Sequence, residues 1–285
     1  MTNITKISYF RLLIFILALQ ITNNIALAEP LKVAVLKFGT VNWELNVIKE
    51  HGLDKKRNID IKVIPLTNKD ATTIALLSNE ADIIVTDWIW VSRQREAGED
   101  FTLVPYSTSS GAIMVPNKSS ITSLEDLKGT QMGVAGGAID KSWLLIRAYS
   151  IKTTGKDLNK MLEPAYAAPP LLNAMMLKGD FSAVLNYWNY TARLKAKGYK
   201  KLIGVNDVLK ELGINGPLPL IGYVFRESYV QSNPNKIKSF IEASWEAREI
   251  LKSSNLEWDR IVKLTGAKDK ATLAALRDEF RNGIQ

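Results

Sequence analysis

Four short segments of this 285-residue chain place aromatic and polar side chains together, directly after runs of apolar, strand-prone residues. They are Phe38-Gly39-Thr40-Val41-Asn42-Trp43, Thr86-Asp87-Trp88-Ile89-Trp90, Gly136-Gly137-Ala138-Ile139-Asp140-Lys141-Ser142-Trp143 and Asn186-Tyr187-Trp188-Asn189-Tyr190. Taken singly, such residues are ordinary: tryptophan is a good core residue, and Asn42, Asp87, Asp140 and Asn189 suit helix caps, each worth about 1 kcal/mol. These four junctions hold five of the seven tryptophans, and that recurrence points to a shared binding cleft. Stacked indoles near Asp87, Asp140 or Glu44 suit a flat or cationic ligand. Gly136-Gly137 suits the opposite charge, because backbone without a Cβ approaches a ligand closely and the following helix directs free N–H groups at it. The residues support both readings. Ser109 and Ser110 add hydroxyls between two strand-like runs, where a plain serine-rich turn is equally at home. The candidate ligand-binding set is therefore Thr40, Asn42, Trp43, Asp87, Trp88, Ser109, Ser110, Gly136, Gly137, Asp140, Lys141, Asn186, Tyr187 and Trp188.

The same inventory leaves little room for covalent chemistry. The chain has no cysteine, so it has no thiol nucleophile, thiolate metal site or disulfide framework. Its one histidine, His51, sits in a helical segment, and a Ser-His-Asp triad would depend on it alone. The string GVAGGAIDKS has neither the spacing of a dinucleotide fingerprint nor the ending of a P-loop. Reversible binding without a catalytic residue, cofactor or metal is the expectation. The 37 basic and 29 acidic residues, net +8, are interspersed rather than gathered into a stripe, so nucleic acid is not an expected partner.

Short β-branched runs alternating with helical segments predict parallel sheets covered by helices. Strands are predicted at Lys32–Leu36, Ile59–Ile64 and Asp82–Val85, with helices at Asn42–Lys56, Lys69–Asn79 and Trp88–Ala97. Two further strands, Phe101–Tyr106 and Ala112–Val115, are joined by Ser107–Gly111, and Ser123 with Asp126 reads as a helix start. A second alternation follows: strands at Gln131–Ala135, before Tyr166, at Phe181–Leu185 and at Lys201–Val205, with helices at Asp140–Lys152, Pro170–Lys178, Asn189–Lys197 and Asn206–Leu212. Pro217–Phe225 reads as a return strand, and Asn233-Pro234 opens a long helix with Ile237, Phe240, Ile241 and Ser244 on one stripe. Helices at Leu256–Leu264 and Lys270–Arg281 finish the chain. In such sheets ligands bind beyond the carboxyl ends of the strands, where the four junctions lie.

Residues 1–28 read as a cleavable secretory signal: Lys6 and Arg11, an apolar run from Leu12 to Leu19, then Ala26-Leu27-Ala28. The mature chain is expected to start at Glu29, outside the inner membrane.

KVAVLKFGT, TDWIW, and SLEDLKG followed by a strand and GVAGG together resemble the periplasmic substrate-binding proteins of ABC importers. The branch is that of nitrate, sulfonate and taurine, related to thiamine-pyrimidine synthases. Gly39–Leu45, Asp87–Arg95, Gly136–Leu145 and Ala168–Asn173 are further similar to a sub-branch found in bacteria that oxidise alcohols with quinoprotein enzymes. The resemblance implies the α/β fold of a type II periplasmic binding protein, two lobes with two connecting crossings and a cleft between them. Lobe one would be residues 29–107 plus 222–285, and lobe two residues 108–221. It further implies a monomer that closes on a small organic solute and delivers it to ABC permease subunits in the inner membrane. The alternative is a periplasmic accessory protein that holds a quinoprotein dehydrogenase or its redox partner, marked by a degenerate cleft and a large apolar outer patch. The synthases' cysteine-containing site has no counterpart here, so their chemistry is not expected.

Overall fold

Strand β1 (Leu31–Leu36) has the sequence LKVAVL, near-continuous apolar residues rather than an alternating pattern, because both faces of a parallel sheet are covered. The computed structural model describes residues 29–216 and 218–284. The expected secretory signal lies outside the described residues.

Two five-stranded sheets form the two lobes. The first has the order β2 (Ile61–Leu66), β1, β3 (Ile83–Asp87), β10 (Ile221–Arg226), β4 (Phe101–Ser107). The second has the order β7 (Glu163–Ala167), β6 (Gln131–Ala135), β8 (Ala183–Asn186), β5 (Ala112–Val115), β9 (Lys200–Gly204). In each, three parallel strands meet one antiparallel strand in fourth place: β10 against β3 and β4, β5 against β8 and β9. Those two antiparallel strands are the ones that follow the crossings between sheets, forward through residues 108–111 and back through residues 212–220.

Helices α1 (Val41–Glu50), α2 (Lys69–Leu77) and α3 (Trp88–Glu96) follow β1, β2 and β3. In the second lobe α4 (Lys141–Thr154) follows β6, and the single-turn α5 (Leu158–Met161) leads into β7. Helices α6 (Pro169–Lys178), α7 (Trp188–Ala196) and α8 (Val205–Glu211) follow β7, β8 and β9. After β10 come α9 (Glu227–Ser232), α10 (Pro234–Ser253), α11 (Asn255–Arg260), α12 (Val262–Thr265) and α13 (Lys270–Gly283). The larger cores gather around Trp43, Tyr223, Phe240 and Trp258 and around Leu127, Val134 and Trp143, with smaller clusters around Leu76, Ile84 and Phe101 and around Met114, Leu172 and Phe181. Helix α7 of the second lobe packs on α13, and its Trp188 and Ala192 enter the first lobe's core.

Several sequence expectations are corrected. The helix expected over Asn42–Lys56 ends at Glu50, because Gly52 takes φ +62° and the chain then makes only a short 3₁₀ turn at Lys55–Arg57. Thr40, not Asn42, holds its N-cap position, and the Asn42 amide donates to the Leu36 and Gly39 carbonyls at 2.8 Å each. Asn189 is not a cap either: α7 begins one residue earlier, and Asn189 is buried inside it. The start at Ser123 yields one 3₁₀ turn, Glu125–Leu127, where the Asp126 carboxylate accepts from Thr122 and Ser123 N–H groups at 2.9 Å. Asn233 makes no side-chain cap, since α9 runs straight into the long helix and the Asn233 amide donates back to the Tyr229 carbonyl at 3.2 Å. Helix Leu256–Leu264 divides into α11 and α12. Ile237, Phe240, Ile241 and Ser244 are all buried, as their spacing requires.

Candidate functional site

The carboxyl ends of β1, β3 and β4, the return strand at Ile221, and the N-termini of α2, α4 and α7 surround a cavity of about 120 Å³ between the sheets. Eight of the expected residues line it: Thr40, Asp87, Ser109, Ser110, Asp140, Lys141, Tyr187 and Trp188. Asn42 and Trp43 line a neighbouring groove instead. Trp88, Gly136, Gly137 and Asn186 are not among the residues lining the cavity.

Two aspartates reach the site from helix starts. Asp87 Oδ1 accepts from Trp90 N–H at 2.8 Å, and Asp140 Oδ1 accepts from Ser142 N–H at 2.9 Å, so both are caps. The second oxygen of each does something else. Asp87 Oδ2 takes the Lys69 ammonium at 2.5 Å, and Asp140 Oδ2 takes the Tyr187 hydroxyl at 3.3 Å. Burial pushes the Asp87 carboxyl up, but the Lys69 and Lys141 charges with their hydrogen bonds outweigh it and hold the group below the ordinary carboxylate range. Lys141 in turn lies 5.3 Å from the centre of the Tyr187 ring. Burial, reinforced by Asp140, raises the Tyr187 hydroxyl well above its ordinary value, so it stays a neutral donor.

Gly136 explains how this corner closes. Its φ is +83°, and a Cβ there would stand 2.3 Å from Asp140 Oδ2 and 2.5 Å from the Tyr187 hydroxyl. The glycine thus makes room for the Asp140–Tyr187 contact. Asn186 also serves the frame: it donates to the Pro169 carbonyl at 3.0 Å and to Asn173 at 2.9 Å, and accepts from Tyr187 N–H. Ser109 donates to the Glu279 carbonyl at 3.1 Å, tying the interlobe link to α13.

Of the candidate tryptophans Trp43, Trp88 and Trp188, Trp188 lines the cavity and the other two do not. Trp43 is buried edge-on against Trp188 at 6.0 Å and Trp258 at 5.6 Å, with Phe280 beside it. Trp88 packs on the second lobe's core. Indoles remove the most apolar area from water, and here the cores take them first.

Lys69, Thr72, Thr86 and Tyr106, none of them in the sequence-derived candidate set, also line the cavity. The strand-end rule would have found Lys69 and Thr72 had it been applied after β2 as well. Tyr106 ends β4, and Thr86 is the last buried strand residue before Asp87. Thr86 Oγ1 is buried without a hydrogen-bond partner, and the Tyr106 hydroxyl, beside Thr40 and the Glu44 carboxylate, makes no well-formed hydrogen bond. Behind Tyr106 lies a buried network: Glu44 accepts from Tyr223, Ser244 donates to Tyr223 at 3.3 Å, and Arg248 donates to the Tyr106 carbonyl at 2.7 Å. Burial lifts the Glu44 carboxyl above its ordinary value despite Arg248 and these donors.

The cavity can therefore offer the Thr86 and Tyr106 hydroxyls and a balanced set of two cations and two carboxylates to a small polar molecule. Among the described residues no group of three His, Cys, Asp or Glu side chains is placed to hold a metal ion.

The fold is shared with several solved structures. The alkanesulfonate-binding protein SsuA from Xanthomonas axonopodis pv. citri, bound to MOPS, superposes with a TM-score of 0.70 at 18% identity over 88% of this chain and 83% of that one. SsuA from Escherichia coli, a periplasmic aliphatic sulphonate binding protein, gives 0.70 at 20% identity over 88% and 79%. The ligand-binding component of an ABC-type import system from Staphylococcus aureus, with zinc bound, gives 0.66 at 14% over 88% and 82%. No curated protein matches the chain. The architecture is that of a type II periplasmic binding protein, two α/β lobes around an interlobe cavity. Residues 44–253, from within α1 to the end of α10, match the sequence profile described as NMT1/THI5 like, and the chain belongs to the NMT1/THI5-like family.

Proposed function

We propose that this protein is the solute-binding component of an ABC importer, capturing a compact polar solute outside the inner membrane by closure of its two lobes. The observation that carries the reading is the interlobe cavity in which Thr86 and Tyr106 keep buried hydroxyls that make no well-formed hydrogen bond. A buried polar group left unpaired costs about 1–3 kcal/mol, so a ligand that bonds to both is stabilised by removing that penalty. The charge balance of Lys69 and Lys141 against Asp87 and Asp140 favours a neutral or zwitterionic solute over a net ion. Lys69 and Asp87 compensate each other while the site is empty and orient the solute when it is full. Closure around the solute gives the permease a form to recognise, by population shift. The sulfonate-binding roles of the two SsuA proteins support this reading, and so does a furnished cavity, which an accessory protein without a solute would not need.

A thermal-shift screen of neutral, zwitterionic, anionic and cationic small molecules tests it. A binder at about 100 times its Kd stabilises by about 2.7 kcal/mol. Thr86→Val and Tyr106→Phe should each weaken a hit by about tenfold, the loss of one buried hydrogen bond. Silence across all classes, or hits indifferent to both substitutions, would sink the proposal.

A further inference from the structure

Beside the cleft cavity lies a larger one, about 650 Å³, that the proposed solute site does not use. Its walls come from both lobes: Lys37, Phe38 and Trp43 with the α12–α13 turn on one side, α6 and α7 on the other. Four cations and one carboxylate line it, and the carboxylate is already taken, since Asp269 pairs with Lys197 at 2.8 Å. Arg193, Lys37 and Lys268 have no carboxylate within ion-pair distance among the described residues.

Arg193 is the informative one. One guanidinium nitrogen donates to the Thr265 carbonyl at 2.5 Å, and the group lies 5.6 Å from the Tyr190 ring centre. Its Nε is buried with no partner at all. Burial also pulls its pKa below the ordinary arginine value, as expected for a partly desolvated cation without a counter-ion. Phe38 meets Tyr190 edge-on at 6.4 Å, so the space beside the cations is aromatic.

We propose that this groove is a second binding site, for a small organic oxyanion with an apolar body. The oxyanion would take the Arg193 guanidinium and the two lysines, and the body would lie against Phe38 and Tyr190. Arg193 belongs to the second lobe, Lys37 and Lys268 to the first, so an occupant bridges the lobes. Whatever affinity factor it adds to solute capture in the cleft, the solute returns to it by linkage. That coupling rests on the closure reading; the site itself does not.

Isothermal titration of the full chain with benzenesulfonate, and with inorganic sulfate as the headgroup alone, tests the site. Benzenesulfonate should bind more tightly than sulfate and lose affinity as salt is raised. The double variant Lys37→Glu/Lys268→Glu should weaken it by at least about tenfold, while Lys141→Gln in the cleft changes it by less than about twofold. Both groove lysines are exposed, so the double variant keeps its fold, checked by circular dichroism. No binding of benzenesulfonate, or binding suppressed by Lys141→Gln and indifferent to the groove variant, overturns the proposal. Sulfate binding as tightly as benzenesulfonate overturns the aromatic part of it. Because no cleft solute is present in this titration, its failure is separate from failure of the solute screen.

Discussion

Asp87 holds three relations at once: it caps α3, it binds the Lys69 ammonium, and it faces the cavity. Its side chain is 3% exposed and that of Lys69 is 19% exposed, so the pair is far better shielded from solvent than the surface pairs of this chain. Removing one partner of a buried pair leaves a buried charge behind, at a cost of roughly 3 kcal/mol. Asp87→Asn keeps the cap oxygen and the shape but strands Lys69, and urea unfolding at neutral pH should show a loss of that size. Since the native carboxyl lies below its ordinary value, its contribution is present above the unfolded-state pKa and lost as the pH falls through the native one. The wild-type stability advantage over Asp87→Asn should therefore shrink on acidification and be absent below both values. An advantage that grows with acidification would contradict the ion-pair account.

At the scale of elements, the turn between β6 and α4 offers a clean comparison. Gly136 and Gly137 both have positive φ, +83° and +90°, so alanine is strained at either position. Only at Gly136 would the new Cβ also strike Asp140 and Tyr187; at Gly137 it meets nothing within 4 Å. Gly137→Ala should lower stability by about 1 kcal/mol, and Gly136→Ala by clearly more, with loss of the Asp140–Tyr187 contact. Equal losses in thermal melts would show that backbone strain alone is at stake there. This element was visible in the sequence as a strand, two glycines and an aspartate cap. The sequence did not reveal that the first glycine serves a tyrosine 51 positions later, because the contact crosses between strands β6 and β8.

Over the whole molecule, the lobes are held by two kinds of contact of very different weight. Lys195–Glu279 and Lys197–Asp269 cross between them at 3.3 and 2.8 Å, but all four side chains are well exposed, and such pairs contribute at most about 1 kcal/mol. Trp188 crosses too, and it is buried against Trp43 and Phe280 in the first lobe's core. Trp188→Ala should cost about 3–5 kcal/mol, whereas Lys197→Ala should be within about 1 kcal/mol of wild type, measured by denaturant unfolding. A nearly silent Trp188→Ala would show that this side chain lines the cavity without holding the lobes together.

Strand and helix periodicities and caps are local properties of the chain, so the alternation of strands and helices and the two crossings were legible in the residues alone. Their position at strand ends singled out Asp87, Asp140, Lys141 and Tyr187, which line the cavity. Which aromatics line the cavity and which fill the cores is set by long-range packing, since burial of Trp43 depends on Trp258 and Phe280, more than 200 positions away. The tertiary structure likewise decided that Lys69 neutralises Asp87, and that the Thr86 and Tyr106 hydroxyls are left without a well-formed hydrogen bond. Pairing and its absence are set by packing between distant segments, which no local pattern encodes.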